Sequence, residues 1–442
     1  MLPIPTEVIS SLPLLCLPDG GQIYDAPKDS TVHYLVLTDI EGTRTYCCCL
    51  KIYKPYMTKE NEFIPGQYDL VYADSDSDVE ATRDSDYTTC YVPLCCCIIS
   101  KYPYFGIFKD CLSRYLQTPY MVSTLKVEPR KFRTGIMQFV SQLAMVPIPP
   151  PGLLAIEFNL SGITHLVRPV DEPEKKIVDI ELHYPFMLFS LDNILVLISC
   201  VLTQQRMVFM SSKYAMLTLV IESIFAFIQP LSWSWTYVPV LPNDLVDMTE
   251  APGVYILGCH IILKAQIERA MAMHEMADII IVNIDEGSIT MGENVTVHII
   301  PSRVGDLFKA RMKDVSPLFD LQIMNRPSFL NVQDLKKERN RFAMEFNNAA
   351  LTGQSCVSTS LEMMARMLSD MSTYQETSYQ GEYYFDLDAF IESKAEEDQP
   401  FYKASLNNKS SHLMGNYLYL RGMFKVACGN RIDVSSTDVC LQ

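Results

Sequence analysis

Between Ser190 and Cys259 the chain alternates apolar helix with apolar strand at short intervals. Ser190-Leu191-Asp192-Asn193 opens an apolar helix from Ile194 to Leu202, and a polar break follows at Thr203-Gln204-Gln205-Arg206. Met207-Val208-Phe209-Met210 reads as a strand, and Ser211-Ser212 leads into a second apolar helix that stops at Pro230. Trp233 and Trp235 alternate ahead of the strand Tyr237-Val238-Pro239-Val240-Leu241, and Ala251-Pro252 and Gly258 follow. A strand apolar on both faces must lie between two layers, and helical crossovers of this length join parallel strands with a right-handed turn. The segment therefore predicts an α/β fold with a buried, mostly parallel sheet. The helix after Ser212 is apolar nearly all round, which suits burial between layers. Ser190 and Ser212 are the expected N-caps.

The flanking sequence divides around this centre. Val32 to Leu37 and Tyr46 to Tyr53 read as strands joined by Asp39-Ile40-Glu41-Gly42, and Tyr91 to Ile99 is a third. Residues 58–89 form a polar insert in which Asp74, Asp76, Asp78, Glu80, Asp84 and Asp86 face only Arg83. Such a tract buries too little apolar area to fold alone, so a solvated loop is expected. Deleting Asp74 to Asp86 should leave thermal unfolding unchanged; a large drop in the melting temperature would make the segment structural. Two amphipathic helices follow, one carrying Phe108, Cys111, Leu112, Tyr115 and Leu116 on one face, the other Phe132, Ile136, Phe139, Val140 and Leu143. Pro147-Ile148-Pro149-Pro150-Pro151-Gly152 disallows helix and reads as a linker. These features predict four parts: 1–146 with the acidic insert, the linker 147–152, an α/β domain 153–300, and a helical region 301–442. In the α/β domain, Leu153 to Phe158, Thr164 to Val167, and segments near Tyr237, Tyr255 and Ile279 to Val282 read as further strands. Beyond Ile300 helices are expected at Val332 to Ala350, Leu361 to Met371 and Leu387 to Ser393, with Met363, Met364 and Met367 filling core.

With 442 residues and 52 acidic against 36 basic side chains, the formal charge of −16 argues against a nucleic-acid surface. The first basic residue is Lys28, so no positive region precedes the apolar Leu12 to Leu17, and no secretory signal is expected. No apolar run reaches a bilayer-spanning length, Glu222 interrupting the best one. Six of the fourteen cysteines sit as triplets, Cys47–Cys49 and Cys95–Cys97, which match neither a disulfide framework nor zinc spacing. A cytoplasmic chain with reduced thiols, no metal and no cofactor is expected. Neither GxGxxG, GxxxxGK nor GxSxG occurs. His274-Glu275 begins like a zincin motif, but position 278 is Asp. His183 and His260 stand at expected element ends, where structural roles are commoner.

The order Ser190 to Cys259 resembles the central segment of the DENN domain family. Leu15-Cys16-Leu17-Pro18-Asp19-Gly20, Val32 to Asp39 and Thr43-Arg44-Thr45-Tyr46 are similar to its upstream segment. Pro103-Tyr104-Phe105 with Lys109-Asp110-Cys111-Leu112 fits the next helix, and Asp386 to Phe390 with Gln399-Pro400-Phe401-Tyr402 resembles the last segment. After Tyr402 the family continues with an apolar helix, whereas this chain gives Asn407-Asn408-Lys409-Ser410-Ser411-His412 and diverges after 403. The resemblance implies a two-lobed DENN module: a longin-like first lobe, then a larger α/β lobe with C-terminal helices. It also implies a guanine-nucleotide exchange factor for a Rab GTPase, of the Rab-twelve subgroup. Such a factor is a regulator without covalent chemistry, acting in endosome and autophagy traffic and recruited peripherally to endosomal membranes through partners. A GTPase-activating module, with Arg44 inserted to stabilise charge in hydrolysis, and a non-catalytic GTPase-binding scaffold are the alternatives.

For a partner surface, the loops outside the carboxyl ends of the strands are the first place to look in an open α/β sheet. Here those are Ser211-Ser212, Asn243-Asp244 and Asn283 with Asp285. Each also has a structural reading: Ser212 and Asn243 as helix caps, Asp285 as an Asx-turn before Gly287. The first-lobe turn, Thr38, Asp39 and Arg44, is a second candidate rim. Trp233 and Trp235 fall on one face by strand alternation and are expected to pack together.

Overall fold

The computed structural model describes residues 6–38, 43–59, 87–116, 129–148, 156–160, 163–167, 180, 182, 184–229, 231–273, 277–315, 356–377 and 383–406. A helix, α1 (Thr6–Cys16), precedes three strands, β1 (Thr31–Thr38), β2 (Arg44–Lys59) and β3 (Tyr87–Ser100), which form an antiparallel sheet in that order. Cys47, Cys48 and Cys49 are fully buried on successive positions of β2, so both sheet faces are covered there. α2 (Phe105–Leu116) lies across the sheet, setting Phe105 against Tyr34 and Tyr46 at ring separations of 4.9 and 5.7 Å. α3 (Pro129–Ala144) follows, with Phe139 stacked on Tyr115 at 4.2 Å.

β2 and β3 run further than their apolar alternation, pairing as far as Lys59↔Tyr87. The ladder depends on backbone groups, and the β-branched Thr58, Thr88 and Thr89 suit it without being apolar. Both ends of the 58–89 insert are therefore strand, while 60–86, including Asp74 to Asp86, lie outside the described residues. A second departure concerns β4 (Ile156–Leu160) and β5 (Ile163–Val167), which among the described residues pair only with each other, antiparallel. Two intervening residues are too few for the crossover that parallel strands need.

The main sheet is the one expected from residues 190–259. After α4 (Tyr184–Leu188) come α5 (Leu191–Leu202), β6 (Arg206–Ser211), α6 (Tyr214–Phe227) and β7 (Thr236–Val238). A 3-10 helix at Asn243–Glu250, then β8 (Tyr255–His260), α7 (Lys264–Ala272), β9 (Ile279–Asn283) and β10 (Ser288–Met291) complete it. The strand order is β10-β9-β6-β8-β7, all neighbours parallel except the edge pair β9–β10. Every residue of β9 is buried, the pattern of a strand covered on both faces. Ser190 caps α5 as expected, its Oγ accepting from the Asn193 N–H at 3.1 Å. β8 passes so close to the segment after β7 that a Cβ on Gly258 would stand 1.9 Å from the Pro239 carbonyl oxygen.

α6 joins the two sheets. Its face toward β6 packs the main sheet, and Thr218 on another face donates its hydroxyl to the Tyr34 carbonyl of β1 at 2.7 Å. A helix apolar nearly all round is thereby covered on both sides, as its composition requires. Of the C-terminal helices α8 (Ser302–Val315), α9 (Cys356–Leu368), α10 (Leu387–Glu392) and α11 (Gln399–Leu406), α9 packs against α6 and α8, α8 also meets α5, and α10 packs against α11. Met363, Met364 and Met367 are core, at 2%, 1% and 2% exposure. The segment expected as helix at Val332 to Ala350 and the chain after Leu406 lie outside the described residues, as do His183 and His274-Glu275. Among the described residues no helix is long and apolar enough to cross a membrane.

Candidate functional site

The carboxyl ends of β6, β8 and β9 converge on a small network of polar groups. The Asp285 carboxylate accepts the Ser211 hydroxyl and the Ser212 N–H, both at 2.7 Å, and so ties the β9–β10 turn to the end of β6. The Ser211 Oγ accepts in turn from the Lys213 N–H at 3.1 Å. Asn283, only 3% exposed, supplies the turn: its Oδ1 accepts from the N–H groups of Asp285 and Glu286 at 3.1 and 3.2 Å. At the end of β8, His260 places Nε2 3.2 Å from the Ser212 carbonyl, while its Nδ1 accepts from the Ile262 N–H at 3.3 Å. An acceptor at Nδ1 leaves the ring proton on Nε2, which then donates to Ser212. Three strand ends are thus braced to one another.

The first sheet reaches the same edge. The Asn243 N–H donates to the Pro18 carbonyl at 2.9 Å, and Tyr214, at the start of α6, lies against His260 and His33 at ring separations of 4.9 and 6.2 Å. Beside Pro18, Asp19 Oδ2 pairs with Lys51 of β2 at 2.7 Å. Burial works against the Lys51 ammonium, but hydrogen bonds to Asp19 and Tyr53 hold its pKa above the ordinary lysine value. The second carboxylate oxygen, Asp19 Oδ1, is buried without a partner. Around this polar floor stand exposed Ser212, Lys213, Asp244 and Asp285, with Ile262 at 70% exposure. Ile262 is thus a large aliphatic side chain exposed beside fixed polar groups.

Five expected residues, Ser211, Asn243, Asp244, Asn283 and Asp285, therefore gather at one edge. The first-lobe rim does not join them. Thr38 is exposed and pairs with Arg44 across β1 and β2, at the end of α6 remote from Tyr214; Asp39 lies outside the described residues. Arg44 turns inward. Its Nη2 donates to the Trp233 carbonyl at 2.8 Å, and its guanidinium lies 5.5 and 5.4 Å from the rings of Phe225 and Tyr237. It faces Glu222, a carboxyl 2% exposed within α6. A guanidinium held this way is structural, and the arginine-insertion alternative loses its residue.

Three smaller expectations also change. Ser212 is not the cap of α6; Lys213 holds that position without a side-chain bond, while the Ser212 N–H donates to Asp285. The Asx-turn belongs to Asn283 and not to Asp285. The tryptophans part company, since β7 begins only at Thr236: Trp233 is buried and stacks on Phe225, whereas Trp235 is 39% exposed. His260 and Ile262 were not singled out as contact residues from sequence. Ile262 sits among apolar neighbours, Ile261 and Leu263, and nothing in that run marks the outward one.

Two sheets bridged by one buried helix, the larger sheet mostly parallel with helices added at its C-terminal side, form a DENN-type α/β module. A DENN (AEX-3) domain model matches residues 91–287 and a uDENN domain model matches residues 4–52. The two matches together span more than half the chain, and the chain belongs to the DENN family. It is 28% identical over 406 residues to DENN domain-containing protein 3 of Mus musculus, covering 91% of this chain and 29% of that protein. DENN domain and WD repeat-containing protein SCD1 of Arabidopsis thaliana is 25% identical over 291 residues, covering 64% of this chain and 22% of its own length. DENN domain-containing protein 1A of Homo sapiens is 28% identical over 223 residues, with 50% and 20% covered. The chain thus spans less than a third of the length of each of these relatives.

Proposed function

We propose that this chain docks a Rab GTPase on the edge formed by Ser212, Asp244, Ile262 and Asp285 and promotes release of its GDP. Membership of the DENN family, whose modules act on Rab GTPases, is the observation that carries the reading. The geometry supports it, because the edge is braced from both sheets and offers an aliphatic anchor. A Rab holds nucleotide through Mg²⁺ and two switch segments ordered around the phosphates. A surface that binds the nucleotide-free form more tightly weakens nucleotide by the same factor. About 5.5 kcal/mol of differential binding shifts such a balance from 1:99 to 99:1. Apolar burial at about 25 cal/mol per Å² with a few polar contacts reaches that scale without a reactive side chain. The reading keeps the lobe division at 147–152 and peripheral recruitment to endosomal membranes through partners.

The test is mant-GDP release from a Rab panel beginning with the Rab-twelve subgroup, beside phosphate release. Faster GDP release with unchanged hydrolysis supports exchange; binding with neither effect leaves a scaffold. Ile262→Asp should slow stimulated release at least about tenfold, 1.4 kcal/mol being a factor of ten, while leaving the melting temperature unchanged because the side chain is 70% exposed. An unaffected release rate would move the docking surface elsewhere.

A further inference from the structure

The cysteine triplets, unpromising by their spacing along the chain, are brought together with Cys16 by the register of the first sheet. Cys49 faces His33 across β1–β2 and Cys97 across β2–β3. Directly opposed residues point to the same face, and Cys95, two residues from Cys97, shares it. Cys16, the last residue of α1, comes down on that face, with its Sγ 3.7 Å from that of Cys49, and Cys49 Sγ is 3.3 Å from Cys97 Sγ. The sulfurs of Cys16, Cys49 and Cys95 all lie within 4.8 Å of one another. Thiolates at about 2.3 Å from a tetrahedral zinc ion stand roughly 3.8 Å apart, so Cys16, Cys49 and Cys95 are near that spacing, while Cys97, 3.3 Å from Cys49, stands beside this close group of three.

A second observation points the same way. His33, on the same face and 2% exposed, has a buried Nε2 without any hydrogen-bond partner. Plain packing of small apolar groups would not leave an unmatched imidazole nitrogen at this point.

We propose that Cys16, Cys49 and Cys95, with Cys97 beside Cys49 as the fourth thiol, form a four-coordinate structural zinc site that pins α1 to β2 and β3, the unpartnered His33 Nε2 standing next to it. Binding releases the thiol protons, each replaced by a bond to the metal. The proposal is independent of the Rab reading.

The full chain, purified under reducing conditions without chelator, should contain about one zinc per molecule by elemental analysis. Cys49→Ser and Cys16→Ser should lose it, whereas Cys96→Ser, on the opposite sheet face, should retain it. After exchange into Co²⁺, the wild type should show an intense near-ultraviolet sulfur-to-cobalt band and the visible bands of tetrahedral cobalt. This spectrum decides the matter even if a variant fails to fold. Zinc below about a tenth of an equivalent together with no cobalt band, or a Cys49–Cys97 disulfide found in the unreduced protein, overturns the proposal.

Discussion

Gly258→Ala should be the most damaging single substitution in the main sheet, lowering stability by about 3 kcal/mol or more. Gly258 pairs with Phe209 of β6 on one side, and its own carbonyl accepts the Leu241 N–H at 2.7 Å on the other. An added methyl would meet Pro239 O at 1.9 Å, Pro239 C at 2.8 Å and Leu217 Cβ at 3.2 Å. The nearest two of these are backbone atoms of the β7 extension, so no rotamer change relieves the clash. Either β7 leaves the sheet or α6 lifts from it. Urea unfolding followed by far-ultraviolet circular dichroism gives the midpoint, and a wild-type midpoint would mean that the strands do not approach this closely.

The Arg44–Glu222 arrangement should give the second largest effect. Burial raises the Glu222 carboxyl above the ordinary glutamate value, and the Arg44 charge and the Tyr237 hydroxyl oppose that rise without cancelling it. Arg44→Ala removes the cation facing Glu222 and strands the Trp233 carbonyl, at a cost of about 2–3 kcal/mol. In a Glu222→Gln background the same change should cost less, and the difference measures the coupling. The pH dependence has a definite sign. A carboxyl whose folded pKa is raised holds its proton more tightly when folded, so stability is greatest at and below the ordinary value of 4.5 and falls as pH rises through the folded value. Glu222→Gln should therefore melt with wild type near pH 4.5 and above it at pH 8. A Gln variant less stable than wild type at pH 8 would show that the ionised pair is net favourable.

Much of this architecture was legible because period and length decide it. β6 and β9 are apolar on both faces, α5 and α6 are long and apolar, and only a parallel sheet between layers accommodates them. The edge residues Ser211, Asn283 and Asp285 were reachable for the same reason, since strand ends locate them. What the residue types could not decide was which acceptor serves which donor. Asn and Asp both make Asx-turns, and only the tie to Ser211 assigns that turn to Asn283. Arg44 was misread because a charged residue beside a turn looks solvent-facing. The overlooked signal was Glu222, a lone carboxyl in an otherwise apolar helix, which calls for a cation from elsewhere in the chain. β10 escaped notice because its four residues, Ser288–Met291, are too few for alternation to show. The thiol cluster has no signature in spacing along the chain, because Cys16 and Cys49 are 33 residues apart and meet only in the folded first lobe.

The 14-residue helix α6 carries one further consequence. With His33 and Tyr214 at one tip and Arg44 and Phe225 at the other, it acts as a ruler of about 21 Å between the Thr38 rim and the Ser212 edge. Any visitor touching both places must match that fixed gauge, since neither sheet can slide along a rod that is cemented to both.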